Sequence, residues 1–148
     1  QALADMGVQR QTLSFELRLA QLRDLRKPME AELIVYGYLP LMVFENRAIR
    51  RKIGKGTCKF APLTLVDRTG RAFRLLPEYG CRNTLLNSQP LCLETRAEYA
   101  SAGAAYARLR FTTESPARCA EVARGFAQGT PPACPEGATR GLYFRGVN

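Results

Sequence analysis

The sequence predicts an α/β fold in which βα units flank an inserted all-β segment. Three observations predict it. Residues 32–36 (ELIVY) form a continuous apolar run, the pattern of a parallel strand covered on both faces. Leu17, Leu19, Leu22 and Leu25 precede that run at approximately helical spacing. Between residues 63 and 93 the pattern changes to short strands divided by polar turns.

Taken in order, residues 1–6 read as a helical turn closed by Gly7, a residue that ends helices because it tolerates positive φ. Residues 12–15 read as a short strand and 16–25 as a helix that Pro28 stops. ELIVY is the next strand, and strand, helix, strand at this spacing is a βαβ unit. Residues 63–66 and 72–76 flank Asp67-Arg68-Thr69-Gly70, a β-hairpin signal. Residues 84–86 and 91–93 are two further short strands around Asn87-Ser88-Gln89-Pro90. A helix over 96–102 closed by Gly103, a strand over 106–111 and a helix from Ser115-Pro116 to about Phe126 resume the βα style, Ser at the cap and Pro in the first turn being a start signal. The tail, 139–147, reads as extended. No repeat is visible, so residues 1–148 are expected to form one unit, with βα units at 1–46, a basic loop and β insert at 47–93, and a closing βα unit and tail at 94–148.

Composition narrows the chemistry. The 148 residues include no histidine and no tryptophan. Without an imidazole there is no Ser-His-Asp or Cys-His nucleophile system and no HExxH zinc site. Cys, Asp, Glu, Lys and Tyr are the groups left for catalysis. The apolar stretches are too short and interrupted to cross a bilayer. The first six residues lack the basic and apolar regions of a secretory signal, and the chain reads as one entered partway through.

The net charge is +9, from 22 Lys plus Arg against 13 Asp plus Glu. Arginine dominates the cations, which suits phosphate or carboxylate partners but also fits a merely soluble basic surface. The most basic window holds Arg47, Arg50, Arg51, Lys52, Lys55 and Lys59 without an acidic residue among them. Tyr36, Tyr38, Phe44 and Phe60 interleave with or border it; such rings stack nucleobases or pack in a core.

The five cysteines are Cys58, Cys81, Cys92, Cys119 and Cys134, with no CxxC among them. An odd count without a secretory signal predicts free thiols in a reducing, cytoplasmic compartment. Cys58, Cys81 and Cys92 all belong to the β insert, where they are either three metal ligands or three small buried hydrophobes. Cys119 reads as core or half-buried on a helix, and Cys134 as incidental in a Pro-rich loop. Glu30 and Glu32 share a strand face and read as solvated or ion-paired. Glu45 and Glu78 are each a general base or an ion-pair partner. No acidic pair identifies itself as catalytic.

Several ordered strings then stand together: residues 32–37 (ELIVYG), 39–42 (LPLM), 65–68 (LVDR) with Phe73 following, 80–83 (GCRN), 86–88 (LNS) with Leu91 following, 139–141 (TRG) and 145–147 (RGV). With these the chain resembles the collagenase-like peptidase family U-32 over about residues 14–147, as the C-terminal portion of a longer conserved region. The resemblance implies a (β/α) barrel in the complete protein, interrupted by a small β subdomain, with residues 14–16, ELIVY and 106–111 as late barrel strands. It implies an oxygen-sensitive iron-sulfur cluster, with Cys58, Cys81 and Cys92 at ligand positions, and Arg47 where the family pattern has a fourth cysteine. A guanidinium has no lone pair for iron, so the site is degenerate, completed from elsewhere, or altered at residue 47, and the chain alone is expected to hold no cluster.

Three functions follow as expectations. The first, by resemblance, is part of an iron-sulfur-dependent enzyme that hydroxylates RNA bases, in tRNA or rRNA, with the basic window as its nucleic-acid contact. The second is the protease of the family's name, acting on protein substrates, although no residue set here provides such chemistry. The third is a non-catalytic folding or docking module, with homo-oligomerisation through unpaired strand edges. The chain alone is expected to be inactive.

Overall fold

The computed structural model describes residues 2–45, 63–78, 82–130 and 134–145. In chain order the elements are α1 (Ala2–Asp5), β1 (Arg10–Thr12), α2 (Leu19–Asp24), β2 (Glu30–Gly37), β3 (Pro40–Phe44), β4 (Leu63–Val66), β5 (Ala72–Glu78), β6 (Arg82–Leu86), β7 (Leu91–Cys92), α3 (Arg96–Ala100), β8 (Tyr106–Arg110) and α4 (Pro116–Gln128). The chain divides into two compact units, a larger one of residues 1–37 with 90–148 and a smaller one of residues 38–89.

In the larger unit β2 is the central strand. Its Glu32 faces Thr12 of β1 on one edge and Tyr106 of β8 on the other, both strands running parallel to it. Further along, Tyr36 faces Leu109 of β8 and, on the opposite edge, Cys92 of the antiparallel β7. Strands β1 and β7 therefore share one edge of β2. The β1–α2–β2 segment is the expected βαβ unit, and ELIVY and 106–110 are strands as expected, here paired in parallel. The expected (β/α) barrel is not what they build. A barrel needs each parallel strand bonded on both edges until the sheet closes, whereas this mixed sheet has four strands and ends at β1 and β7 on one side and β8 on the other. Residues 14–16 are also not a strand; the pairing segment lies earlier, at Arg10–Thr12.

The apolar run of β2 makes the core. Leu33 and Val35 are fully buried. Tyr36 joins Cys92 and Val122 of α4 in a cluster against which Leu109, Phe111, Phe126, Cys134 and Ala138 pack. Helix α4 starts as read from the sequence, with the Ser115 hydroxyl accepting the Arg118 N–H at 3.3 Å and Pro116 in the first turn. It ends at Gly129, whose φ is 73°. Helix α3 carries a reciprocal cap: Thr95 accepts the Glu98 N–H, and the Glu98 carboxylate accepts the N–H groups of Glu94 and Thr95.

The tail differs from the extended segment expected. Residues 141–145 form turns that bury Tyr143 at 2% exposure. Its hydroxyl donates to the Ile34 carbonyl at 2.9 Å, and its own carbonyl accepts the Leu19 N–H at 2.9 Å. The tail thus ties β2 to the start of α2.

The smaller unit is a four-stranded antiparallel sheet in the order β3-β6-β5-β4. Its β4–β5 hairpin is the one expected, with Val66 opposite Ala72 and Gly70 at φ 82°. Strand β3 is not among the strands read from the sequence; Pro40 stands at its first position, where the missing N–H is tolerated. The sequence reading set the insert at 47–93; the smaller unit runs from Tyr38 to Gln89 and leaves β7 with the larger one.

Gly37 closes β2 at φ 122°, and a Cβ there would collide with the carbonyl oxygen of Arg110 on the neighbouring strand. Gly70 has positive φ but open space around it. Gly37→Ala is therefore expected to lower stability by about 3 kcal/mol or more, since a backbone clash adds to the conformational penalty. Gly70→Ala is expected to cost only about 1–2 kcal/mol. Urea unfolding of the two variants checks the difference, and equal losses would refute the close-approach argument.

Candidate functional site

Three groups of chemistry-bearing side chains can be placed. The first is the cysteine set. Cys92 stands on β7 in the larger unit, and its sulfur is bonded to Cys134, 42 residues later, with the two Cα atoms 5.8 Å apart. The expectation of free thiols fails at these two positions, and Cys134 is not incidental. The pairing arises because the tail returns beside β7: Thr139 bridges to Leu91, Cys92 donates its N–H to the Thr139 carbonyl and Thr139 donates to the Pro90 carbonyl. Nothing local in the sequence signals a contact of that span. Cys119 is a free, half-buried cysteine whose thiol sits 4.0 Å from the Glu114 carbonyl.

Cys58 and Cys81 lie outside the described residues, as do Arg47, Arg50, Arg51, Lys52, Lys55 and Lys59. The three expected ligands are therefore not seen together. Among the described residues no group of three or more His, Cys, Asp or Glu side chains is placed to hold a metal ion. With Cys92 engaged by Cys134, the donor set here does not fit a cluster held by Cys92; it would be available only after reduction of that bond.

The second group is the smaller sheet's end. The described residues that border those segments meet there. Phe44 at the close of β3 pairs with Asn83 of β6, and Glu78 at the close of β5 pairs with Arg82. Leu63 enters β4 opposite Leu75, three residues before the end of β5. The Arg82 guanidinium also meets the Glu45 carboxylate at 2.9 Å, a largely exposed pair. The connections 46–62 and 79–81 thus leave from one end of one sheet. Glu45 is an ion-pair partner, and Glu78 accepts the Thr84 hydroxyl inside the sheet; neither is placed as a general base.

The third group is a polar network on one face of the larger sheet. Arg108 donates to Glu32, and the Thr12 hydroxyl donates to the same Glu32 oxygen at 2.6 Å. Arg108 also donates to the Thr12 oxygen at 3.0 Å. Beside them the Tyr106 hydroxyl donates to Glu30 at 3.2 Å while Arg10 lies 3.7 Å over the Tyr106 ring and 3.9 Å from Glu30. Of the two alternatives, solvated or ion-paired, Glu30 and Glu32 take the second. The Thr12 hydrogen bond, followed by the Arg108 contact, holds the Glu32 carboxyl below the usual carboxylate range against the opposing effect of burial. Sequence reasoning did not reach Arg10, Arg108 or Tyr106, because their partnership depends on the β1–β2–β8 register.

The aromatic expectations divide. Tyr36 is buried in the core. Tyr38 carries the Arg74 guanidinium 4.8 Å above its ring. Phe44 closes β3, and Phe60 lies outside the described residues. No helix is long and apolar enough to cross a membrane among the described residues.

Two outcomes test these contacts. Cys134→Ser is expected to lower stability by about 4 kcal/mol in the absence of reductant, the loop-closure value for a span of this length. Strong reductant is expected to bring wild type down to the variant and leave the variant unchanged, measured by urea unfolding. Because folding depresses the Glu32 pKa, its contribution is present above the unfolded carboxylate pKa and is lost as pH falls through the folded value. Arg108→Gln is expected to flatten the acid limb of the stability–pH curve, and an unchanged limb would refute the pairing. No family model, curated protein or solved structure matches the chain.

Proposed function

We propose that this chain is the C-terminal portion of a U-32-like protein that acts on RNA, in which the smaller unit presents the basic segment 47–59 and the cysteines Cys58 and Cys81 to the substrate. The observation that carries this reading is the shared sheet end. Arg47 lies two residues beyond Glu45, Cys81 one residue before Arg82, and Cys58 five residues before Leu63. The ordered family-like strings support the same reading.

An iron-sulfur cluster belongs to this proposal only through Cys58 and Cys81, with Arg47 at the position that lacks a thiolate. Cys92 would join them only in a reduced chain. A cytoplasmic setting is part of the proposal, although a disulfide is the less common state of cysteines there; Cys92 is buried and Cys134 half-buried. The protease reading ranks below, because the free thiol of Cys119 meets a backbone carbonyl rather than a base.

A docking module is the second reading, favoured by the edges of the smaller sheet. The outer strands β3 and β4 expose Leu41, Met42, Val43, Leu65 and Val66. An uncharged apolar edge is a template for strand pairing.

One experiment separates the two readings. Anaerobic iron and sulfide reconstitution of the chain and of Arg47→Cys, followed by thiolate-to-iron absorbance, is expected to give a stable chromophore in the variant that Cys81→Ser removes. No chromophore in either protein would remove the cluster assignment, and a colourless chain that sediments as a dimer supports the docking reading instead.

A further inference from the structure

Charge is divided unevenly between the two units. Residues 38–89 contain ten Lys and Arg against three Asp and Glu, a net +7, whereas the larger unit carries only the remaining +2 of the total. In the larger unit Arg10, Arg23, Arg108, Arg118 and Arg140 each meet a carboxylate. In the smaller unit Arg82 does so among the described residues, while Arg68, Arg71 and Arg74 form no ion pair among them.

These three arginines belong to one element, the β4–β5 hairpin. Its turn contains a single acid, Asp67, and that carboxylate is committed to the backbone. It accepts the Thr69 hydroxyl at 2.7 Å, the Thr69 N–H at 2.8 Å and the Arg71 N–H at 2.9 Å. Those bonds, the Thr69 hydroxyl foremost, hold its pKa down with a smaller contribution from the Arg71 charge, and the three contacts brace the turn. Arg68 and Arg71 project from this braced turn, both exposed. Arg74 follows on β5 opposite Thr64, steadied on the Tyr38 ring. Val66, which pairs with Ala72 beside them, is 65% exposed. A braced turn whose guanidiniums form no ion pair among the described residues, next to the exposed Val66 and the half-buried Tyr38, suits a chain of phosphates whose bases are free to lie against protein. That describes a single strand, since the deep, narrow major groove of an A-form duplex hides its base edges from such a surface.

We propose that the β4–β5 hairpin is a contact surface for single-stranded RNA, with Arg68 and Arg71 on phosphates and Arg74 with Tyr38 beside the bases. This inference rests on the RNA reading above and adds a second contact to it.

Fluorescence anisotropy with labelled oligouridylate, titrated across a series of salt concentrations, tests the proposal on the full chain. Arg68→Gln/Arg71→Gln is expected to raise Kd about tenfold and to reduce the slope of log Kd against log salt by about 1.4, two phosphate contacts at the single-strand value. Arg26→Gln/Arg124→Gln removes the same charge from exposed positions of the larger unit and is expected to change Kd by less than about twofold. Far-UV circular dichroism confirms folding, and Arg68→Gln alone, with half the change in slope, serves if the double variant fails it. Equal weakening by the two double variants, or competition by duplex RNA as strong as by single strands, overturns the proposal. Binding by wild type that the hairpin variant leaves unaltered removes the hairpin and keeps the RNA reading. Absence of any binding at low salt removes both.

Discussion

Strand β2 uses both of its edges, and the larger unit is arranged around that fact. Eight residues offer hydrogen bonds to β1 and β7 on one side and to β8 on the other. A backbone group buried without a partner costs about 1–3 kcal/mol, so a central strand this apolar requires neighbours along its length. Different segments of chain supply them: the βαβ partner β1 early in the sequence, and β7 and β8 after the smaller unit has been completed. Gly37 marks the limit of the arrangement. It lets the backbone pass so close to Arg110 that no side chain fits, and the chain leaves the larger unit at that residue.

The same strand explains the tail. Once β2 is enclosed on its edges, the Ile34 carbonyl is still available to the Tyr143 hydroxyl, and burial raises the Tyr143 pKa by disfavouring its anion. Arg140 meets Glu98, the residue that caps α3, and Cys134 is bonded to Cys92. A hydroxyl, an ion pair and a disulfide therefore fasten one short stretch to three different elements. The disulfide acts chiefly on the unfolded chain by removing loop entropy, whereas the Tyr143 contact acts on the folded state, so the two stabilise the tail by independent routes.

What could be read from the sequence was local. The β4–β5 hairpin is set by Asp67 and Gly70 within its own turn, and α4 by Ser115 and Pro116 at its own start, so both lie where expected. The continuous apolar run marked β2, and β8 was read as a strand as well. The barrel did not follow, because closure depends on which edges meet, and an apolar run reads the same in an open mixed sheet. The Cys92–Cys134 bond and the Glu32–Arg108 pair were equally invisible, joining residues 42 and 76 positions apart. Of the candidate site, the basic residues were legible as charge, and the sheet end that Phe44, Glu78 and Arg82 share became visible only through the registers of β3, β5 and β6.

The two units handle charge by different physics. In the larger unit the parallel register sets Glu30 and Glu32 between strands that carry Arg10 and Arg108, so these two cations are neutralised where they arise. Glu32 is half-buried and gains most from such pairing, because a partly desolvated carboxylate without a partner destabilises the fold. In the smaller unit acids are few, and two of the three are committed to the fold itself: Asp67 to its turn and Glu78 to Thr84. Its cations consequently have little internal compensation, and mutual repulsion at low ionic strength is the physical cost of keeping them together. On the RNA reading proposed above, a phosphate backbone would relieve that repulsion and release its own counterions in doing so. The uneven division of charge between the units is fixed by their acids, three in residues 38–89 against ten in the larger unit.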